Sequence, residues 1–194
     1  MKTNLILRVS LVILIGTVLT GCTTTDPTKS STQAAPLKAG KTALPDLKRF
    51  TSVTVVPFDT SKAKDTEPSV GEKFAEDIAR RLKDDFGPLF DQVTVGTPTG
   101  TTNELIITGE ITTYKPGDKA LRGLLIGLGA ASFKGDLCLK DGDQQLIQIP
   151  FDKLWAWGGI LGASKGIEDM EEQTVASIAN TVARQKGWTP PAGK

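Results

Sequence analysis

The sequence predicts a single two-layer α+β domain: a mixed, mostly antiparallel sheet of about five strands, with two amphipathic helices packed on one face. Three observations predict it. Apolar residues recur at helical spacing in two stretches, Val70 to Phe86 and Met170 to Val182. Between and before these stretches lie runs that are β-branched or alternate at period two. Gly, Pro and Asp punctuate those runs. A helix with one apolar stripe must bury it, and a half-solvated sheet is a stable partner.

The domain is expected over residues 47–189, opening near Leu47. Ser52-Val53-Thr54-Val55-Val56 is β-branched and is ended by Pro57-Phe58, which makes it the first strand. A polar loop runs from Asp59 to Pro68. Ser69 and Glu72 then have the spacing of a capping box. Val70, Phe74, Ala75, Ile78, Ala79, Leu82 and Phe86 follow on one helical face, with Glu72, Lys73, Glu76, Asp77, Arg80, Arg81 and Lys83 on the other. That charged face is read as solvated. Gly87-Pro88 stops the helix.

Val93-Thr94-Val95 is a short second strand. Glu104 to Tyr114 is the longest. Strict alternation puts Leu105, Ile107, Gly109 and Ile111 on one face, and Ile106, Thr108, Glu110, Thr112 and Tyr114 on the other. Phe133 to Leu139 is the next strand. Asp141-Gly142 signals a hairpin, and Gln145 to Ile149 returns antiparallel. The last helix begins near Ile167 with a stripe of Met170, Val175, Ile178, Ala179 and Val182. Gly187 suits the C′ position and Trp188 the C″ position. Residues 190–194 are expected to be a flexible tail.

Two apolar, glycine-rich segments interrupt the pattern: 119–131 and 155–166. Gly123, Gly127 and Ala131 recur every four residues, and so do Gly158, Gly162 and Gly166. Small residues at that interval let backbones approach closely. Arg122, Gly123, Gly127, Gly129, Trp155, Trp157, Gly158 and Gly162 are therefore the candidate interaction loops. The competing reading is two tight connections inside the fold. Arg122 is expected to pair with Asp118 or Glu110. Gly127-x-Gly129 lacks the third glycine and the strand–loop–helix context of a dinucleotide site.

Ahead of the domain, residues 1–21 read as a signal peptide. Lys2 and Arg8 are followed by the apolar core Leu11-Val12-Ile13-Leu14-Ile15, which is too short to span a bilayer. Leu19-Thr20-Gly21-Cys22 resembles a bacterial lipobox. That resemblance implies cleavage between Gly21 and Cys22, a diacylglyceryl thioether on Cys22 and acylation of the new amine, palmitate being a typical chain. Thr23 rather than Asp follows the cysteine, which favours the outer membrane with the domain facing the periplasm. Residues 22–46 are then the lipidated N-terminus and a disordered tether, rich in Thr, Ser, Ala, Lys and Pro. About 23 flexible residues have an r.m.s. span of roughly 25 to 30 Å.

Composition excludes several function classes. Of 23 Lys and Arg, two lie in the signal peptide, leaving 21 against 22 Asp and Glu, so no nucleic-acid groove is expected. The chain has no histidine. A Ser-His-Asp or Cys-His nucleophile and the commonest metal ligand are thus absent. Of two cysteines, Cys22 is committed to lipid, which leaves Cys138 without an intrachain partner. No catalytic residue, cofactor or metal ligand is expected.

Gly109-Glu110-Ile111-Thr112-x-Tyr114-x-Pro116-Gly117-x-x-Ala120-x-Arg122, followed by Gly127-x-Gly129, resembles the bacterial lipoprotein family known as domain of unknown function 4410. The likeness takes in Val55-Val56-Pro57-Phe58 and Gly158-Gly159-x-x-Gly162, and covers most of residues 52–183. The chain departs from it at Ala130-Ala131 and at the short Asp141-Gly142-Asp143 turn. The resemblance implies a small α+β envelope domain and supplies no catalytic residue. The function expected is a membrane-anchored envelope lipoprotein with a non-catalytic periplasmic binding or assembly domain, engaging an envelope protein partner through a sheet edge or the glycine loops. The alternative is a periplasmic small-ligand or lipid-binding lipoprotein that uses the 123–131 loop as a pocket wall.

Overall fold

The computed structural model of the chain describes residues 35–38, 43–118, 129–155 and 166–190, with the backbone alone at 154 and 155. The elements are β1 (Ser52–Val55), α1 (Pro68–Phe86), β2 (Gln92–Val95), β3 (Glu104–Lys115), β4 (Ala131–Asp141), β5 (Gln144–Trp155) and α2 (Ile167–Gln185). One five-stranded sheet has the order β2-β1-β3-β4-β5. β1 is parallel to both β2 and β3, while β3, β4 and β5 pair antiparallel. α1 is the crossover that a parallel β1–β2 pair requires. The expected α+β architecture is the one observed, with both helices on one face of an open sheet.

The core lies between the helices and that face. Phe74 of α1 is its hub. Its ring meets Phe58 at 4.9 Å and Phe133 at 5.2 Å, both edge to face, and Phe151 at 5.9 Å. Two glycines make room for these rings. A Cβ on Gly109 would lie 2.7 Å from the Phe58 ring, and one on Gly135 would lie 2.5 Å from the Phe151 ring.

Several local expectations are corrected. α1 does not use the Ser69–Glu72 capping box. It starts at Pro68, with Glu67 at the N-cap and no side-chain cap. Proline has no N–H to leave unsatisfied and its φ is already helical, so the helix begins two residues earlier. β4 and β5 run further than the period-two signal, and Trp155 ends β5 instead of belonging to a loop. Tyr114 lies on the helix side of the sheet, not with Thr108 and Glu110. A bulge between Ile111 and Thr113 shifts the register by one residue, so Tyr114 packs edge to face on Phe133 at 5.8 Å.

The C-terminus of α2 forms the expected Schellman motif. Gly187 takes φ +103°, its N–H donates to Arg184 O at 3.0 Å, and Trp188 N–H donates to Ala183 O at 2.9 Å. The Trp188 ring packs on Phe86 at 5.1 Å.

Part of the expected tether is ordered. Residues 35–38 and 43–46 lie against the domain, with Leu37 and Leu44 half-buried on the core. Apolar residues within this polar stretch supply the contact that its composition hides.

Candidate functional site

The strand register brings the stems of the two glycine-rich connections to one end of the sheet. Lys115 pairs with Ser132, and Ala131 pairs with Trp155. Asp118 N–H donates to Gly129 O at 2.9 Å, with Gly129 at φ +66°. Both connections therefore leave from adjacent strands at one end of the sheet, where α2 also starts. Of the candidate loop residues, Gly129 and the backbone of Trp155 fall in this stem. Arg122, Gly123, Gly127, Trp157, Gly158 and Gly162 lie outside the described residues, as do Gly21 and Cys22.

Beneath that end sits an ionic cluster, where the helical pattern predicts only a solvated face. Lys73 Nζ donates to Glu171 Oε1 at 2.8 Å and to Asp77 Oδ2 at 3.1 Å. Arg80 pairs with Asp77, and Arg81 reaches Glu172 at 3.4 Å. Glu171 is buried although charged. The hydrogen bond from Lys73 to Glu171 pushes the ammonium pKa well above its ordinary range, so the amine stays protonated. Burial pushes the Tyr114 hydroxyl up, aided by the Glu171 charge and a hydrogen bond to it. A cleft of about 290 Å³ opens here, lined by charged residues of α1 and α2 with Val175 alone apolar. The i,i+4 spacing of Lys73 and Asp77 was visible in the sequence. The pairing with Glu171 was not, because it depends on how the helices cross.

The opposite face of the sheet carries no described helix. It presents Thr108 and Glu110 from β3, Lys134, Asp136 and Lys140 from β4, and Gln148, Pro150 and Asp152 from β5, all at least partly exposed. Glu110, expected as a partner of Arg122, is engaged by Lys62 at 2.6 Å. Lys134 pairs with Asp152 at 2.9 Å across the β4–β5 ladder. Cys138 sits on this face, buried, and its burial pushes the thiol pKa up. A protonated thiol is a poor nucleophile.

One edge of this face is pinned by Glu104, whose role depends in part on Thr54, distant in sequence, and carries no signal in the strand's alternation. Its carboxylate accepts from Thr54 Oγ1, from Thr99 N and Thr99 Oγ1 at 3.0 Å each, and from Gly100 N at 2.8 Å. Burial raises the carboxyl pKa, but the four donors outweigh it and the net shift is downward. The group is a structural pin for the 96–103 loop.

A second cleft, about 330 Å³, is lined by Pro57 to Ser61, Ala63, Thr66, Pro68 and Glu72. Among the described residues no group of three or more His, Cys, Asp or Glu side chains is placed to hold a metal. No described helix is long and apolar enough to cross a membrane.

No family model matches this chain, and no curated protein does. Solved structures share the fold. A PelC variant dodecamer from Paraburkholderia phytofirmans is similar over 73% of this chain and 93% of that one, at 15% identity and a TM-score of 0.53. A second crystal form of the PelC dodecamer from the same organism matches over 73% and 94%, at 15% identity and a TM-score of 0.51. At this identity the likeness establishes the shared fold alone.

Proposed function

We propose that the chain is a membrane-anchored envelope lipoprotein of the domain of unknown function 4410 type, whose α+β domain is a non-catalytic binding or assembly module. The observation that carries this is the face of β3, β4 and β5 that no described helix covers, adjoined at one end by the stems of both glycine-rich connections. Such a face suits contact with a folded partner more than enclosure of a small molecule. The lipid on Cys22 holds the domain at the membrane, so the partner is met at high local concentration. Outer-membrane anchoring with the domain in the periplasm belongs to the same reading.

The small-ligand alternative draws less support. Of the two clefts described above, one is lined almost wholly by charges, and the other mixes Pro57, Phe58, Ala63 and Pro68 with Asp59, Ser61 and Glu72 and opens to solvent, so neither encloses a lipid tail. The PelC structures are dodecamers. A second copy of this chain is therefore the first partner to seek.

A photo-crosslinking side chain at Gln148, on the open face, and one at Asp84, on the helix layer, test the proposal in intact cells. A discrete protein adduct from Gln148, lost in Cys22→Ala, is expected. Lipid adducts alone, or none despite good expression, would overturn it in favour of ligand or lipid binding.

A further inference from the structure

Ahead of the domain, Leu37 is hydrogen-bonded to α2. Thr174, Ser177 and Thr181 form a polar ridge along the helix. Their hydroxyls donate to the carbonyls of Met170, Gln173 and Ser177 at 2.7 to 2.8 Å. Back-bonding of this kind leaves the hydroxyl oxygen free to accept. At Thr181 it does so: Leu37 N–H donates to Thr181 Oγ1 at 2.8 Å, across 144 residues of chain. Leu37 and Leu44 add half-buried side chains, while Ala35, Lys38 and Ala43 stay exposed.

Further along, the attachment changes character. Leu47 and Phe50 are wholly buried. Leu47 N–H donates to Gln185 O at 3.1 Å, and Lys186 Nζ donates to Lys48 O at 2.9 Å and also to Phe50 O. The chain is thus held firmly from Leu47 onward and lightly before it. Segments with few buried apolar contacts occupy the low-stability end of a fold and open independently of the core.

We infer that residues 35–38 and 43–46 form a releasable strap, docked through Leu37 on Thr181 of α2, that gives the lipid-anchored domain two tether lengths. The inference rests on the anchored reading above for its consequence, though not for the docking itself. With the strap docked, the covalent length between Cys22 and Leu37 limits the reach to about 50 Å. With it released, the limit is set by the length between Cys22 and Leu47, about 85 Å. Release uncovers only the surface that Leu37 and Leu44 half-cover and leaves the open sheet face unchanged. A domain on the short tether stays beside its own membrane, and one on the long tether reaches a partner well beyond it.

Hydrogen exchange on the full-length chain in lipid nanodiscs tests the docking, comparing wild type with Thr181→Val and Leu37→Asp. The Leu37 amide is expected to be protected in wild type and to exchange at least about fivefold faster in either variant. Amides of Phe133 and Leu137 should not change. Leu37 is half-buried outside the main core, so Leu37→Asp keeps the test open if Thr181→Val loosens the helix. A Leu37 amide that exchanges at the random-coil rate in wild type overturns the strap. So does protection that neither variant alters.

Energy transfer from a dye at Gln148→Cys to labelled lipid headgroups tests the two lengths. A lower transfer efficiency in both strap variants is expected, and equal efficiency in all three proteins overturns the length switch. A chain that never associates with the bilayer would defeat the anchored reading while leaving the Leu37 protection intact.

Discussion

Thr54, in the middle of β1, donates its hydroxyl proton to the carboxylate of Glu104 at the start of β3, and both side chains are buried. This carboxylate also collects the donors of the 96–103 loop, so one ionised group joins two strands and a loop. Glu104→Gln keeps the shape but replaces an acceptor-only group by one carrying donors, which leaves Thr99 and Gly100 N–H groups short of partners. A loss of about 1 to 3 kcal/mol in chemical denaturation is expected. The folded-state pKa lies below the ordinary value of 4.5. The stabilisation is therefore complete above about pH 4.5 and is lost as pH falls through the lower folded value. Wild type should lose stability over that acid range more steeply than Glu104→Gln. Parallel pH curves would show the carboxylate to be unimportant.

The Lys73–Glu171 contact behaves oppositely with pH. Lys73→Met leaves a buried carboxylate without its cation, and a loss of about 1 to 3 kcal/mol at pH 7 is expected, moderated by the partial exposure of Lys73. The Lys73 pKa is raised above 10.5 in the folded state, chiefly by its hydrogen bond to Glu171. Its stabilisation is fully present below pH 10.5 and disappears as pH rises through the folded value. Tyr114, raised above 10.0 chiefly by burial, adds a loss of the same sign. Thermal melts from pH 8 to 12 should show a fall in wild type that is shallower in Lys73→Met, and shallower again when Tyr114→Phe is added.

Gly71 lets α1 touch the segment after β1. A Cβ there would lie 2.0 Å from the Phe58 carbonyl oxygen and 3.2 Å from the Thr60 methyl carbon. Gly71 O also accepts from Phe58 N–H at 3.2 Å. Gly71→Ala should therefore destabilise by about 1 to 3 kcal/mol, although alanine favours helices elsewhere. Gly87→Ala, where nothing lies within 4 Å of the added carbon, is the control and should be close to neutral. Urea midpoints for the two variants check both statements.

The layer architecture was legible because it follows from periodicity. Phe74, Ile78 and Leu82 at helical spacing, and Leu105, Ile107 and Ile111 at period two, state which faces are buried. The Gly187–Trp188 cap was legible because it uses local chain chemistry. What failed to show depends on contacts distant in sequence. The bulge that turns Tyr114 inward is set by pairing with β4. The Lys73–Glu171 bond is set by the meeting of two helices. The Leu37–Thr181 bond needs a polar segment to find a hydroxyl at the far end of the chain. Pro68 carried a readable signal, since proline at N1 outranks the Ser69–Glu72 pattern beside it.

Among the described residues β5 has no outer neighbour strand, and Pro150 interrupts that edge. β5 runs from Gln144 to Trp155 at the margin of the sheet, and Pro150 pairs opposite Asp136 within it. Proline donates no ladder hydrogen bond, so on an edge strand it removes one donor that an incoming strand would use. Under the proposed function, the sheet face would engage its partner while this proline guards the edge against strand-to-strand growth. Pro150→Val restores the donor, extends a run that already contains Ile147, Ile149 and Phe151, and raises β-propensity. The variant should fold, and sedimentation velocity should show concentration-dependent oligomers beyond those of wild type. Pro150→Lys restores the same N–H but adds a guarding charge, and it should sediment as wild type does. If valine and lysine behave alike, the proline is not what protects this edge.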